Sequence, residues 1–108
     1  MIPQIDPAEV AAWRADPTRV PPALVDVREA WEFEYCCIDG SAHLPLAQLP
    51  GRVGELPRDR DLVIVCHHGN RSQHAAMWLQ RAGFANVHNL RGGVAAWADA
   101  VDPAMKRY

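Results

Sequence analysis

The sequence predicts an α/β fold of three layers, α/β/α, built around a five-stranded parallel sheet. Five short apolar segments alternate with segments of helical periodicity, the order that produces parallel strands joined by right-handed helical crossovers. Two of the five, Ala23–Val27 and Leu62–Val65, are nearly continuous apolar runs rich in branched residues, as expected of strands covered on both faces. With 108 residues, 49% of them hydrophobic and 22% charged, the chain has material for one core and not for two. Residues 1–108 are therefore read as a single domain, and no internal repeat, linker or low-complexity segment interrupts them.

The elements follow in order. Ile2–Ile5 is a short strand candidate. Asp6, Pro7 and Glu9 then supply a helix cap, a proline suited to the first turn and the far end of a capping box, so a helix is expected from Pro7 to Ala15. Asp16-Pro17 ends it, and Pro21-Pro22 keeps the connector extended. After the strand at Ala23–Val27, a helix of about two turns is expected over Glu29–Cys36. Turn chemistry at Ile38–Ser41 leads to a short strand at His43-Leu44. Apolar residues at 46, 49, 53 and 56 are spaced for a helix that Pro50 and Gly51 interrupt. Leu62–Val65 is the strongest strand signal and is expected at the centre of the sheet. Ala75, Ala76, Leu79 and Ala82 form the apolar stripe of a helix over Ser72–Ala82, closed by Gly83. Val87–Leu90 is the last strand, and Val94–Ala100 the last helix with Trp97 facing inward.

Composition narrows the classes of function. The formal net charge is −2, and Lys and Arg are scattered, so no footprint for nucleic acid is present. No apolar run approaches the ~20 residues of a membrane helix. The opening Met1–Asp6 lacks the basic and apolar stretches of a secretory leader, which sets the expected compartment as the cytoplasm. Three cysteines, two of them the neighbours Cys36 and Cys37, do not suggest a disulfide scaffold.

The chemistry concentrates at the end of the Leu62–Val65 strand. In open parallel sheets ligands sit beyond the carboxyl ends of the strands, and Cys66 lies there. The loop Cys66-His67-His68-Gly69-Asn70-Arg71 leads straight into a helix, so its backbone N–H groups are placed to converge on the sulfur as an anion site. A free thiol titrates near ~8.5, and a helix start with nearby cations favours the thiolate. Such a thiolate attacks the sulfane sulfur of a donor, and the resulting persulfide anion is stabilised by the same amides. Gly69 suits close backbone approach or positive φ, and Arg71 suits bracing the loop or holding an anionic donor.

Cys66, Gly69, Arg71 and Ser72 fit the pattern Cys-x-x-Gly-x-Arg-Ser, and on these residues the sequence resembles the rhodanese family. Asp26-Val27-Arg28-Glu29 is similar to the family's first signature, Ile38–Leu46 to its second, and Leu90-Arg91-Gly92-Gly93 with Trp97 to its last. The resemblance implies a sheet of strand order 3-2-4-5-1 and a sulfurtransferase that moves sulfur by double displacement through Cys66. It further implies a small donor such as thiosulfate, a thiol or cyanide acceptor, and no metal or organic cofactor. A protein donor or acceptor, making the domain a persulfide relay or an interaction module, is the alternative. The chain departs from the family where Cys36-Cys37 replaces a Gly-His pair before Ile38, so no role of that histidine transfers.

The same residues admit rival readings. Cysteine-dependent phosphatases use a wider Cys-x5-Arg loop, whereas the spacing from Cys66 to Arg71 is Cys-x4-Arg, a tighter cradle suited to one sulfur atom. His67 and His68 are adjacent, which seldom lets two side chains converge on one metal ion, so both rings are expected to point outward and attract anions when protonated. Cys36 and Cys37 read as packing residues, with exchange of sulfur or a disulfide with Cys66 as the functional alternative. Asp26 and Arg28 leave their strand at the same sheet edge and either shape a pocket or brace loops. Trp78 and Trp97 read as packing, and Gly92-Gly93 as a tight turn. A cysteine at a strand end is ordinarily a small buried hydrophobe, a reading set aside for Cys66 because Gly69, Arg71 and the start of a helix follow it. A Cys66 interred, with its side chain turned from solvent and surrounded by hydrocarbon, would end the functional reading.

Overall fold

The computed structural model describes residues 1–108. In chain order the elements are β1 (Gln4–Ile5), α1 (Pro7–Ala15), β2 (Ala23–Asp26), α2 (Ala30–Tyr35), β3 (Ala42–His43), α3 (Leu49–Arg52), β4 (Leu62–Val65), α4 (Asn70–Arg81), β5 (Val87–Leu90) and α5 (Gly93–Ala100). All strands pair in parallel, the class expected from the sequence, in the order β3-β2-β4-β5-β1 that the family resemblance implies. No helix is long and apolar enough to cross a membrane.

The alternation of side chains along β4 builds the core on both faces. Leu62 and Ile64 join Val25, Leu49, Ala75, Ala76, Leu79 and Phe84 in one cluster. Val63 and Val65 join Val10, Trp13, Leu90, Val94 and Trp97 in the other. The helices are thereby divided, with α3 and α4 on one face and α1 and α5 on the opposite one. All four β4 residues are at most 1% exposed, which is why this strand carries no alternation in polarity.

Boundaries differ from the sequence reading where local chemistry intervenes. The strand at residues 2–5 shrinks to Gln4–Ile5, because only these two residues stand in register with β5, opposite Asn89 and Leu90. In α2, Glu29 stands outside as the cap, its N–H donating to Glu32 Oε1 at 3.0 Å, and the helix ends at Tyr35. The third strand is shifted by one residue to Ala42–His43, where it meets Val25 and Asp26. Residues 46–55 form a four-residue α-turn flanked by two 3-10 turns, with Pro50 accommodated in the first turn, where no helical N–H is required of it. The largest difference is in α4, which begins at Asn70 and not Ser72, because Gly69 at φ 102° turns the chain directly into the helix.

The Gly92-Gly93 turn is fixed by sterics. Gly93 has φ 60°, and a Cβ there would overlap the carbonyl oxygens of Cys66 and His67. Gly51, by contrast, has nothing within 4 Å of its would-be Cβ and sits in a helix. Gly93→Ala is therefore expected to lower the unfolding free energy by about 3 kcal/mol or more, through overlap and left-handed strain. Gly51→Ala should be neutral or stabilising by up to about 1 kcal/mol. Urea unfolding of the two variants checks both values, and equal midpoints would refute the steric argument.

Candidate active site at the end of the central strand

β4 ends at Val65 and α4 starts at Asn70, so Cys66–Gly69 is a four-residue turn between the central strand and a helix of three turns. Parity along β4 sends Cys66 to the same side as Leu62 and Ile64, toward α4. The turn is pinned from behind: Val94 N–H donates to the Cys66 carbonyl at 2.9 Å and Ala95 N–H to that of His67 at 3.1 Å. The first turn of α5 thus uses its otherwise unpaired donors to hold the cysteine loop.

Two polar groups meet the sulfur. Gly69 N–H donates to Cys66 Sγ at 3.0 Å, and Ser72 Oγ lies 3.2 Å from it. The sequence led us to expect several amides from His67 to Arg71 around the sulfur, but in the resting loop only that of Gly69 reaches it. The residue is also closed off, with Cys66 1% exposed. This corrects the expectation of an open anion cradle. The sulfur is buried, yet its neighbours at hydrogen-bonding distance are an amide and a hydroxyl and not hydrocarbon alone.

A chain of charged groups lies beside the loop. Arg71 grips Glu32 with both ends of its guanidinium, at 2.7 and 2.9 Å. Tyr108 OH donates to Glu32 Oε2 at 2.7 Å and accepts from Arg28 Nη1 at 2.8 Å. Arg28 in turn forks onto Asp26, with Nε 2.9 Å from Oδ1 and Nη2 2.6 Å from Oδ2. Asp26 and Arg28 are both fully buried, so between the two readings left open the structure favours a brace over a pocket wall. Arg28 Nη2 also donates to the Cys36 carbonyl at 2.7 Å, tying the end of α2 to the end of β2.

These contacts tune the charges. The Glu32 carboxyl is held down at about 2, chiefly by the Arg71 guanidinium and with help from the Tyr108 hydroxyl, against its burial. Arg71 is correspondingly more strongly protonated than usual, first through Glu32. Burial opposes the Arg28 charge, but its bonds to Asp26 and Tyr108 more than offset that, so it too is raised. The Tyr108 phenol is pushed up to about 12, first by burial. It stays a neutral donor at any ordinary pH.

His67 and His68 divide. His68 is exposed, as expected of both rings, but His67 is half-buried between His68 and Tyr108, with ring centroids 3.9 and 4.0 Å away. Burial and the neighbouring His68 lower the His67 pKa, which weakens its expected role as an anion-attracting cation. Asn70 is exposed at the first position of α4. Cys36, Cys37 and Cys66 are all free thiols. Cys37 is exposed and its thiol is raised by partial burial, while Cys36 is half-buried, 3.9 Å from Arg28 Nη1. A cavity of about 180 Å³ opens beside the loop, lined by His67, His68, Val94, Ala95, Ala98 and Tyr108 among others.

Glu32, Ser72, Asn89 and Tyr108 are members of the site that the sequence reading did not assign. Glu32 had a signal, since an arginine placed to brace a loop needs a carboxylate, and the short helix after Arg28 offers one at its buried position. Tyr108 had none, because nothing local says that residues 101–108 fold back across the strand ends.

Comparison with known proteins agrees with the parallel five-stranded fold. The model of the rhodanese-like domain matches residues 6–100. This chain belongs to the rhodanese-like domain family. A sulfurtransferase of Allochromatium vinosum is 40% identical over 98 residues, covering 91% of this chain and 90% of the relative. A thiosulfate sulfurtransferase GlpE of Shewanella oneidensis is 42% identical over 77 residues, covering 71% and 76%. Among solved structures, a rhodanese-related protein of Thermoplasma volcanium superposes with a TM-score of 0.81 at 27% identity, covering 92% of this chain and 93% of that one. The rhodanese-like chain described here thus keeps the family's fold over nearly its whole length.

Two expected outcomes follow from the charged chain and the stacked ring. Glu32 titrates lower in the folded protein than its ordinary 4.5, so its stabilising contribution is complete above that value and is lost as pH falls toward about 2. Glu32→Gln should therefore cost about 1.5–3 kcal/mol near neutral pH. The deficit should shrink through the acid range in chemical denaturation, and one that stays constant would exclude the ionised pair as its source. For the ring, Tyr108→Ala removes a stacking contact and two hydrogen bonds beside the loop, and should raise the rate of iodoacetamide modification of Cys66 about tenfold. An unchanged rate would place the cover of the thiol elsewhere.

Proposed function

We propose that this rhodanese-like protein is a sulfurtransferase that carries sulfane sulfur on Cys66. The observation that carries the reading is the Gly69 N–H donating to Cys66 Sγ at 3.0 Å from the turn that starts α4. A donor there to neutral sulfur strengthens once the sulfur is anionic, so the same contact favours the thiolate and the persulfide over the thiol.

In the first half-reaction the Cys66 thiolate attacks the outer sulfur of a thiosulfate-like donor. The new Sγ–S bond forms as the donor S–S bond breaks, and sulfite leaves with the electron pair. In the second, a thiol or cyanide attacks the bound sulfur, the persulfide bond breaks, and the thiolate returns to Cys66. Neither step needs a metal, an oxidant or an organic cofactor. Arg71 is held by Glu32 yet has a side chain 38% exposed, so it can brace the loop and still present a cation to an anionic donor. The exposed part of Arg71 is the approach we assign to the donor, since the cavity beside His67 and Tyr108 is walled by α5 and by neither Cys66 nor Arg71. The four-residue spacing from Cys66 to Arg71 supports a single sulfur as the guest over a phosphate. Three free thiols suit a reducing compartment, and we place the protein in the cytoplasm.

A persulfide relay between proteins is the second reading, favoured by one feature. Trp31, Tyr35 and Tyr108 are 60%, 45% and 39% exposed and cluster edge to face near the loop. Such rings anchor protein partners well.

Intact mass after incubation with thiosulfate tests the proposal. The wild type should gain one sulfur atom and lose it to cyanide, while Cys66→Ser should gain none. Sulfur uptake by Cys66→Ser, or none by the wild type from either thiosulfate or a persulfidated protein, would overturn it. Rapid charging by the protein alone would select the relay.

A further inference from the structure

The hydrogen bonds behind Cys66 fix where each hydrogen lies. Asn89, on β5 and only 3% exposed, donates from Nδ2 to Gln4 Oε1 at 2.8 Å and to the Gly69 carbonyl at 3.1 Å. Gln4 is oriented in its turn, because its Nε2 donates to Gln73 Oε1 at 2.7 Å. Two acceptors facing Nδ2 leave Oδ1 of Asn89 as the atom that meets Ser72, and Ser72 Oγ donates to it at 2.5 Å. A hydroxyl has one hydrogen. With that hydrogen on Asn89, the contact of 3.2 Å between Cys66 Sγ and Ser72 Oγ is completed by the thiol's own S–H.

We propose that Asn89 is a positioning residue that holds the resting Cys66 as a thiol, by keeping the Ser72 hydroxyl turned away from the sulfur. When the thiol is deprotonated, the proton leaves to a solvent base and the electron pair stays on Sγ. Ser72 must then rotate its hydrogen from Asn89 Oδ1 to the sulfur, or the thiolate keeps only the Gly69 N–H. Either outcome raises the free energy of the thiolate relative to a site in which the serine is free: one strands a buried amide oxygen, the other forgoes a donor. Asn89 also holds the Gly69 carbonyl, so one buried amide controls the setting of both groups that touch the sulfur.

The charged and titratable neighbours act beside this switch, and Arg71 is coupled to Cys66 through charge. They are Arg71 with Glu32, Arg28 with Asp26, Tyr108 from the last segment, and His67 and His68 on the loop itself. The inference rests on Cys66 being the sulfur-carrying residue for its use in transfer, but its test reads the thiol directly.

The test is the pH dependence of Cys66 alkylation, followed by mass spectrometry at that residue. Asn89→Ala should move the midpoint down by about one unit, since the Ser72 hydroxyl can then turn to the charged sulfur without stranding Asn89 Oδ1. The Gly69 carbonyl still accepts from Gln73 N–H at 3.3 Å. In a Ser72→Ala background, adding Asn89→Ala should produce no fall, because the hydroxyl that would turn to the sulfur is gone. In the unmodified protein, the side-chain amide resonances of Asn89 should titrate with the midpoint of Cys66, a measurement that needs no variant to fold. Resonances of Asn89 indifferent to Cys66, or an equal fall with and without Ser72, would overturn the inference. If these shifts occur while no sulfur is taken up, the positioning role stands and the transferase reading falls.

Discussion

The site depends first on a close approach of two backbones. The Gly92-Gly93 turn passes so near the Cys66 and His67 peptides that no side chain fits between them, and the amides of Val94 and Ala95 close the gap with hydrogen bonds. A cysteine at a strand end has many ways to orient its peptide. Fixing its carbonyl from α5 leaves the loop few, and the left-handed Gly69 then delivers an N–H to the sulfur. Remove the contact behind the loop and the geometry in front of it has no support.

The second layer of constraint is electrostatic. Two ion pairs, Asp26 with Arg28 and Glu32 with Arg71, are joined through one phenol. Buried ion pairs add little to stability when weighed against apolar packing, so their use here is better sought in placement. They connect the end of β2, helix α2, the start of α4 and the segment around Tyr108, four pieces remote in sequence that meet at one sheet edge. The Arg71 side chain that faces the loop is thereby held by a carboxylate that remains ionised down to about pH 2.

Much of this was legible in the sequence, and the reasons are physical. β4 was readable because a strand buried on both faces must be apolar at every position, and Leu62–Val65 is. The order of strands was not readable from periodicity and came only from the resemblance carried by the four motifs. The start of α4 reads two residues late because Asn70 and Arg71 are polar, and a polar first turn looks like loop when Gly69's left-handed φ is unknown. Cys66 is as buried as an ordinary strand-end cysteine, the reading the motif set aside, because sequence shows the loop and not what folds over it. Tyr108 and Asn89 lie 42 and 23 residues beyond Cys66, and only the tertiary path brings them to it.

A closed thiol and a reactive one are compatible when the groups around the sulfur are donors in waiting. Gly69 N–H is already aimed, and the Ser72 hydroxyl is one bond rotation from being so. Electrostatic stabilisation of this kind is strong because the dipoles are set before charge appears and little water competes. The same enclosure limits oxidation of the resting cysteine, since oxidants act on accessible thiolates. In the proposed transfer, a donor would have to uncover Cys66 and bring an anionic sulfur group close to Arg71. Specificity thus lies as much in displacing what covers the loop as in the chemistry beneath it.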